Sequence, residues 1–152
     1  MIKLLFSLFE KGWVKATISD EGKDLTVFAA YLSDGLSDLI ICVWKLLEGE
    51  NEVFCSWQEE PGQYRWLFLR EGNQIKLRIL WFEDTFSKYT DLKGKEMFCG
   101  NEDIIKFSRN IIRVFDKLKF EYGVDGYKKK WAYEFPEADL DRLKSAFRKL
   151  KS

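Results

Sequence analysis

Apolar and polar positions alternate early in the chain, then change period. Trp13, Lys15 and Thr17 are set against Val14, Ala16 and Ile18, the period-two pattern of a strand with one face on a core. A second β-prone run covers Leu25 to Leu32, and the Ser-Asp-Glu-Gly-Lys-Asp between the two is rich in turn formers. The pair predicts an N-terminal hairpin. After Leu32 the period lengthens, and Leu36, Leu39, Ile40, Val43, Leu46 and Leu47 fall on one stripe. With Ser33 and Asp34 placed to cap its start and Gly49 to end it, the stripe predicts a buried helix from about Asp34 to Glu48.

Three strand-like runs follow, Glu52 to Gln58, Gln63 to Arg70 and Gln74 to Phe82, separated by Glu-Glu-Pro-Gly and Glu-Gly-Asn. Both separators are turn sequences, so an antiparallel meander is the simplest topology. Val53, Cys55 and Trp57 share one face of the first run, Tyr64, Trp66 and Phe68 one face of the second, and Ile75, Leu77, Ile79 and Trp81 one face of the third. The opposite parities include Phe54, Leu67, Leu69, Leu80 and Phe82. Such a sheet is expected to carry helices on one face and to keep apolar residues on the other. The helical period returns from Asp103 to Glu121, with Ile104, Phe107, Ile111, Val114 or Phe115, and Leu118 inward and Gly123 at its end. A loop from Val124 to Trp131 then leads to a last helix beginning near Pro136, with Leu140, Leu143, Phe147 and Leu150 as its stripe. The fold class is α+β: a hairpin, one helix between strands, a meander, and two C-terminal helices packed on the sheet.

Length adds that 1–152 is a single domain, since a chain of this size buries roughly 70% of its unfolded surface. An aromatic share of 16% calls for a heavy core or an exposed aromatic surface, and 46% hydrophobic with 33% charged residues is globular. The three cysteines, Cys42, Cys55 and Cys99, have no C-x-x-C spacing and read as reduced, mostly buried thiols of a cytoplasmic protein. The start of the chain reads as mature sequence, and no run approaches the roughly 20 apolar residues of a membrane span.

The absence of histidine removes Ser-His-Asp and Cys-His catalysis and the two-His zinc motifs. No G-x-x-x-x-G-K-[ST] or G-x-G-x-x-G occurs, so the familiar phosphate-cradling loops are missing as well. Carboxylate, Lys, Tyr or Cys chemistry remains. Adjacent Glu59 and Glu60 diverge on an extended backbone, which suits shared acid/base work poorly and a solvated hairpin tip well. Asp34 and Asp38 share a helix face at i and i+4 and are the better candidate for a divalent cation, although acids in a first turn also complement the helix dipole. Glu83 and Asp84 form a weaker pair. Cys99 alone has an argument for reactivity, a place near a helix start, against a small structural role.

Charge is unevenly spread beneath a net of zero. From Leu46 to Tyr64 the residues Glu48, Glu50, Glu52, Glu59 and Glu60 meet no Lys or Arg, whereas Lys128 to Ser152 holds eight basic against four acidic residues. Solubility and the macrodipole explain this blandly. A docking reading gives the acidic, aromatic-flanked hairpin a basic protein partner, with charge steering the encounter and aromatics anchoring it. Nucleic acid is a poor fit, because the basic residues of the last helix are few and its apolar stripe is needed for packing.

Trp13-Val-Lys-Ala-Thr-Ile18, Tyr31-Leu-Ser-Asp34, Glu60-Pro-Gly-Gln-Tyr-Arg-Trp66 and Tyr122-Gly-Val-Asp-Gly-Tyr127 with Trp131 together resemble a group of small, uncharacterised bacterial cytosolic proteins, some of them from toxin and immunity loci. The resemblance spans most of the chain and its motifs are structural in character. It implies a protein that binds and neutralises a cognate toxin domain without an enzymatic step. On the charge and aromatic argument, the expected partner-binding residues are Glu59, Glu60, Tyr64, Arg65 and Trp66, with no cofactor, catalytic residue or metal. The alternatives are a small-molecule or metal-dependent enzyme using Asp34 and Asp38, and a structural subunit of a homo-oligomer.

Overall fold

A computed structural model describes residues 1–84 and 91–152, apart from the side chain of Leu92. Strands β1 (Lys3–Phe9), β2 (Trp13–Asp20) and β3 (Lys23–Ala30) form one antiparallel sheet in that order. Helix α1 (Gly35–Leu47) follows. Strands β4 (Glu52–Gln58), β5 (Gln63–Glu71), β6 (Gln74–Phe82) and β7 (Lys95–Asp103) make a second antiparallel meander. Helices α2 (Ile104–Trp131) and α3 (Glu137–Lys151) complete the chain. The expected α+β architecture is present, with one strand more in each sheet than the hydrophobic pattern predicts. No helix among the described residues is long and apolar enough to cross a membrane.

Both sheets share one core. Helix α1 packs on β4, α2 on β1, and α3 against both helices. All six residues of the α1 stripe are buried, and so are Ile104, Phe107, Ile111, Phe115 and Leu118 of α2, which decides for Phe115 over Val114. The aromatic content goes largely inward: the Phe6 ring meets Trp57, Trp66 and Phe115 edge-on at centroid distances of 5.5, 6.2 and 6.3 Å. Four elements, β1, β4, β5 and α2, are thereby joined through one ring.

Local chemistry accounts for the turns. The β2–β3 connection is Glu21-Gly22 with φ of 47° and 84°, the pair of positive values a two-residue I′ hairpin needs. Gly123 does interrupt α2, at φ 70° and ψ 167°, a conformation open to glycine almost alone. Yet the chain resumes its helix beyond it. Val124 to Trp131 is therefore helical rather than a loop, and Tyr127 and Trp131 from this stretch are fully buried.

The other sheet face also matches the pattern. Leu67, Leu80 and Phe82 form a small second cluster, crossed by a strap that starts with a 3-10 turn at Asp91–Lys93. Gly94 sits on the Phe82 ring and Leu80. No Cβ fits there without displacing them.

Gly35 opens α1 against the Trp57 indole, whose Nε1–H donates to the Gly35 carbonyl at 3.0 Å. Alanine is favoured over glycine in a helix by about 1 kcal/mol, but a Cβ here would stand 2.8 Å from a Trp57 ring carbon. Overpacking at a filled core position costs about 1–3 kcal/mol, and displacing the indole endangers its hydrogen bond as well. Gly35→Ala is therefore expected to lower the urea-unfolding free energy by about 1–2 kcal/mol, where helix propensity alone predicts a gain.

Candidate functional site

The β4–β5 connection ends the meander with Glu59, Glu60, Pro61 and Gly62, closed by the Glu59 N–H donating to the Gly62 carbonyl at 2.9 Å. Gly62 is required twice over: its φ is 102°, and the Trp81 ring lies where a Cβ would go. Register places Tyr64 opposite Trp81, and the two rings stack at 4.7 Å with a 52° tilt. Both are half-buried. Burial raises the Glu59 carboxyl above its usual range, and burial together with the Glu59 charge raises the Tyr64 hydroxyl. Glu60 is exposed. Phe82 lies opposite Gln63, so Glu83 and Asp84 leave β6 at the same end, and the Gln63 side-chain amide donates to the Asp84 carbonyl at 2.9 Å. Four acidic residues and an aromatic pair thus share one end of the sheet.

This differs from the sequence expectation in three respects. Trp66 is no surface anchor: alternation turns it to the core, where it is 0% exposed and 4.9 Å from Trp57. Arg65 faces the opposite way but is also covered, at 7% exposure. Its guanidinium lies 4.8 and 4.6 Å from the Phe54 and Phe82 rings and donates to Asp91 at 2.6 Å, so it anchors the strap. Lastly, the acidic run is not one patch. Glu48, Glu50 and Glu52 lie at the start of β4 and Glu59 and Glu60 beyond its end, about 20 Å away at 3.3 Å per residue. Trp81 was the missing member, and its cue is the short β5–β6 turn, which sets the register that brings it to Tyr64.

Asp34 and Asp38 have structural surroundings. Asp34 caps α1, with Oδ1 accepting from the Ser37 N–H at 3.3 Å and the Trp131 Nε1–H at 2.8 Å, and Oδ2 accepting from the Ser37 hydroxyl at 2.7 Å. Burial, then the Asp34 and Asp139 charges, raises the Asp38 carboxyl above its usual range. No group of three His, Cys, Asp or Glu side chains among the described residues is placed to hold a metal ion.

The cysteines divide by position. Cys42 and Cys55 are buried, and a hydrogen bond from one to the other, reinforced by burial, pushes the Cys55 thiol well up. It stays protonated and unreactive. Cys99 lies within β7 and α2 begins only at Ile104, so the helix-terminus argument for its reactivity falls. An open concavity of about 740 Å3 is lined by Glu10, Lys11, Asp125, Lys128, Lys129, Lys130 and Ala132. These are all solvent-facing side chains of mixed charge, and Lys128 is already paired with Glu134 at 2.7 Å. No protein family, no curated protein and no solved structure matches the chain.

Two acids one helical turn apart are expected to behave oppositely. Asp34→Ala removes a cap, worth about 0.5–2 kcal/mol, and orphans a buried indole donor, worth about 1–3 kcal/mol. The sum predicts a loss of about 1.5–5 kcal/mol in urea unfolding at pH 7. Asp38 has a folded-state pKa above its unfolded one, so its charge opposes folding when ionised, and this opposition disappears as pH falls through the folded and then the unfolded pKa. Asp38→Asn is expected to raise the urea midpoint slightly at pH 7, with the difference from the parent vanishing at acid pH.

Proposed function

We propose that the chain is a non-catalytic, cytoplasmic protein-binding module that meets a basic partner domain with the acidic end of its meander, and that this partner is a toxin it neutralises. The observation that carries the reading is the grouping of Glu59, Glu60, Glu83 and Asp84 around the half-buried Tyr64–Trp81 stack. Acids on a rim steer a cationic partner in solution, and aromatic rings beside them bury well at little conformational cost. Burial raises the Glu59 carboxyl above its usual range, and perturbed carboxyls of this kind gather at functional sites. The resemblance to proteins of toxin and immunity loci supplies the identity of the partner, and the lack of histidine fits a binding role better than hydrolysis.

An immunity protein is encoded beside its toxin, so the purified product of the neighbouring reading frame is the partner to test. Glu59→Lys with Glu60→Lys is expected to weaken its binding by roughly tenfold or more and to flatten the salt dependence of the association rate. Thermal unfolding checks that the variant stays folded. Unchanged affinity and an unchanged salt slope in that folded variant would remove the proposal.

A further inference from the structure

Two of the three cysteines meet inside the molecule. Cys42 is on α1 and Cys55 on β4, both in the main core at 5% and 6% exposure. The two elements run antiparallel and are pinned at both ends. At one end the Trp57 indole donates to the Gly35 carbonyl. At the other, Arg70 donates its N–H to the Asn51 carbonyl just before β4, and its guanidinium donates to the Leu46 carbonyl of α1. The spans agree: Gly35 to Leu46 is about 16 Å of helix at 1.5 Å per residue, and Trp57 to Glu52 about 16 Å of strand at 3.3 Å per residue.

Interpolation then locates the thiols. Cys42 lies about 10 Å along the helix from Gly35, which is between the levels of Val53 and Cys55 on the inward face of β4. A helical side chain leans toward the N-terminus of its own helix, here the Cys55 side. The close approach of backbones that a disulfide needs is helped by Gly35, where a Cβ would stand 2.8 Å from a Trp57 ring carbon. The thiols are free and hydrogen-bonded to each other. Cys99 is three strands away, on β7.

We propose that Cys42 and Cys55 are a dithiol pair that a peroxide oxidises to a disulfide joining α1 to β4. Burial holds the Cys55 thiol protonated, so the Cys42 sulfur attacks first. It breaks the O–O bond and becomes a sulfenic acid, its proton leaving in the first water. The Cys55 sulfur then displaces the sulfenic hydroxyl, which takes the Cys55 proton and departs as the second water. Two thiols lose two electrons and one peroxide gains them. The product is uncharged and apolar, so a core position tolerates it where a lasting thiolate would be costly. Closing the loop between the two residues stabilises the oxidised chain. The pair is remote from the docking argument, so either stands if the other fails.

The test uses the full, folded chain carrying Cys99→Ser, exposed to equimolar hydrogen peroxide. The intact mass is expected to fall by two hydrogens and peptide mapping to join Cys42 to Cys55. The urea midpoint is expected to rise, and to return when dithiothreitol is added. Cys55→Ser in the same background is expected to hold Cys42 as the sulfenic acid, captured by dimedone, whereas Cys42→Ser gives no adduct and no shift of midpoint. Thermal unfolding checks that each serine variant is folded. The proposal is overturned if the folded chain keeps both thiols while the urea-unfolded chain closes them, or if the dimedone adduct appears on Cys55 instead. Oxidation of either sulfur past the sulfenic stage without a crosslink overturns it too, as does an oxidised chain that unfolds at lower urea than the reduced one.

Discussion

Three donors converge on the Asp34 carboxylate: the Ser37 N–H and hydroxyl from the first turn of α1, and the Trp131 indole from the far end of α2. The first two make an ordinary helix cap. The third ties that cap to a residue 97 positions away. Trp131 is fully buried, and a buried indole N–H without an acceptor costs free energy comparable to a lost hydrogen bond. Its position therefore depends on that of Asp34. A second indole, Trp57, fixes the same turn through the Gly35 carbonyl. The start of α1 is held between β4 and α2, and this sets where α3 packs: Tyr127, in the last part of α2, meets Phe135 at 5.0 Å just before α3 begins. Deep burial, and then the Asp34 charge, raises the Tyr127 hydroxyl well above its usual range.

A different constraint governs the far face of the meander. Leu67, Leu80 and Phe82 point away from the main core and need cover of their own. The strap from Asp91 to Gly94 supplies part of it, and Arg65 fastens the strap. A buried cation is tolerated only with compensation. Here two aromatic faces and the Asp91 carboxylate provide it. The arginine that looked available for a partner is thus engaged within the chain.

How much of this the sequence disclosed depended on whether one period held over an element's length. It held for α1, β4, β5 and β6, whose predicted ends agree with the structure to within about one residue. It failed at β1, where Leu4, Leu5, Phe6, Leu8 and Phe9 make a nearly continuous apolar run that fits either period. It failed again at β7, whose inward positions are Phe98, Gly100 and Glu102. A glycine and a glutamate hide the alternation, although the glutamate is buried because it accepts the Ile2 and Asp103 N–H groups. Gly123 concealed the end of α2, since a glycine that kinks a helix and one that ends it look alike in one dimension. At the candidate site, nearness in sequence put Arg65 and Trp66 beside Tyr64, whereas strand alternation separates them and register brings in Trp81.

Charge runs mislead for the same reason. Of the eight basic residues after Tyr127, Lys128, Arg142 and Lys144 pair with Glu134, Asp139 and Asp116. The other five, Lys129, Lys130, Arg148, Lys149 and Lys151, occupy the last turns of α2 and α3. There the negative end of each helix dipole favours cations, so the basic C-terminal stretch has a local physical cause and calls for no partner. Arg113 and Lys117 sit in the middle of α2, beyond the reach of its terminal field, and Lys3 is on an edge strand. Among the described residues only Lys117 of these has a carboxylate contact, a loose one to Glu121. A short count along the chain overlooks these three because Lys3 is over a hundred residues from the others in sequence, and only folding brings them to one groove. Where no dipole and no close ion pair explains an exposed cation, hydration alone accounts for its place.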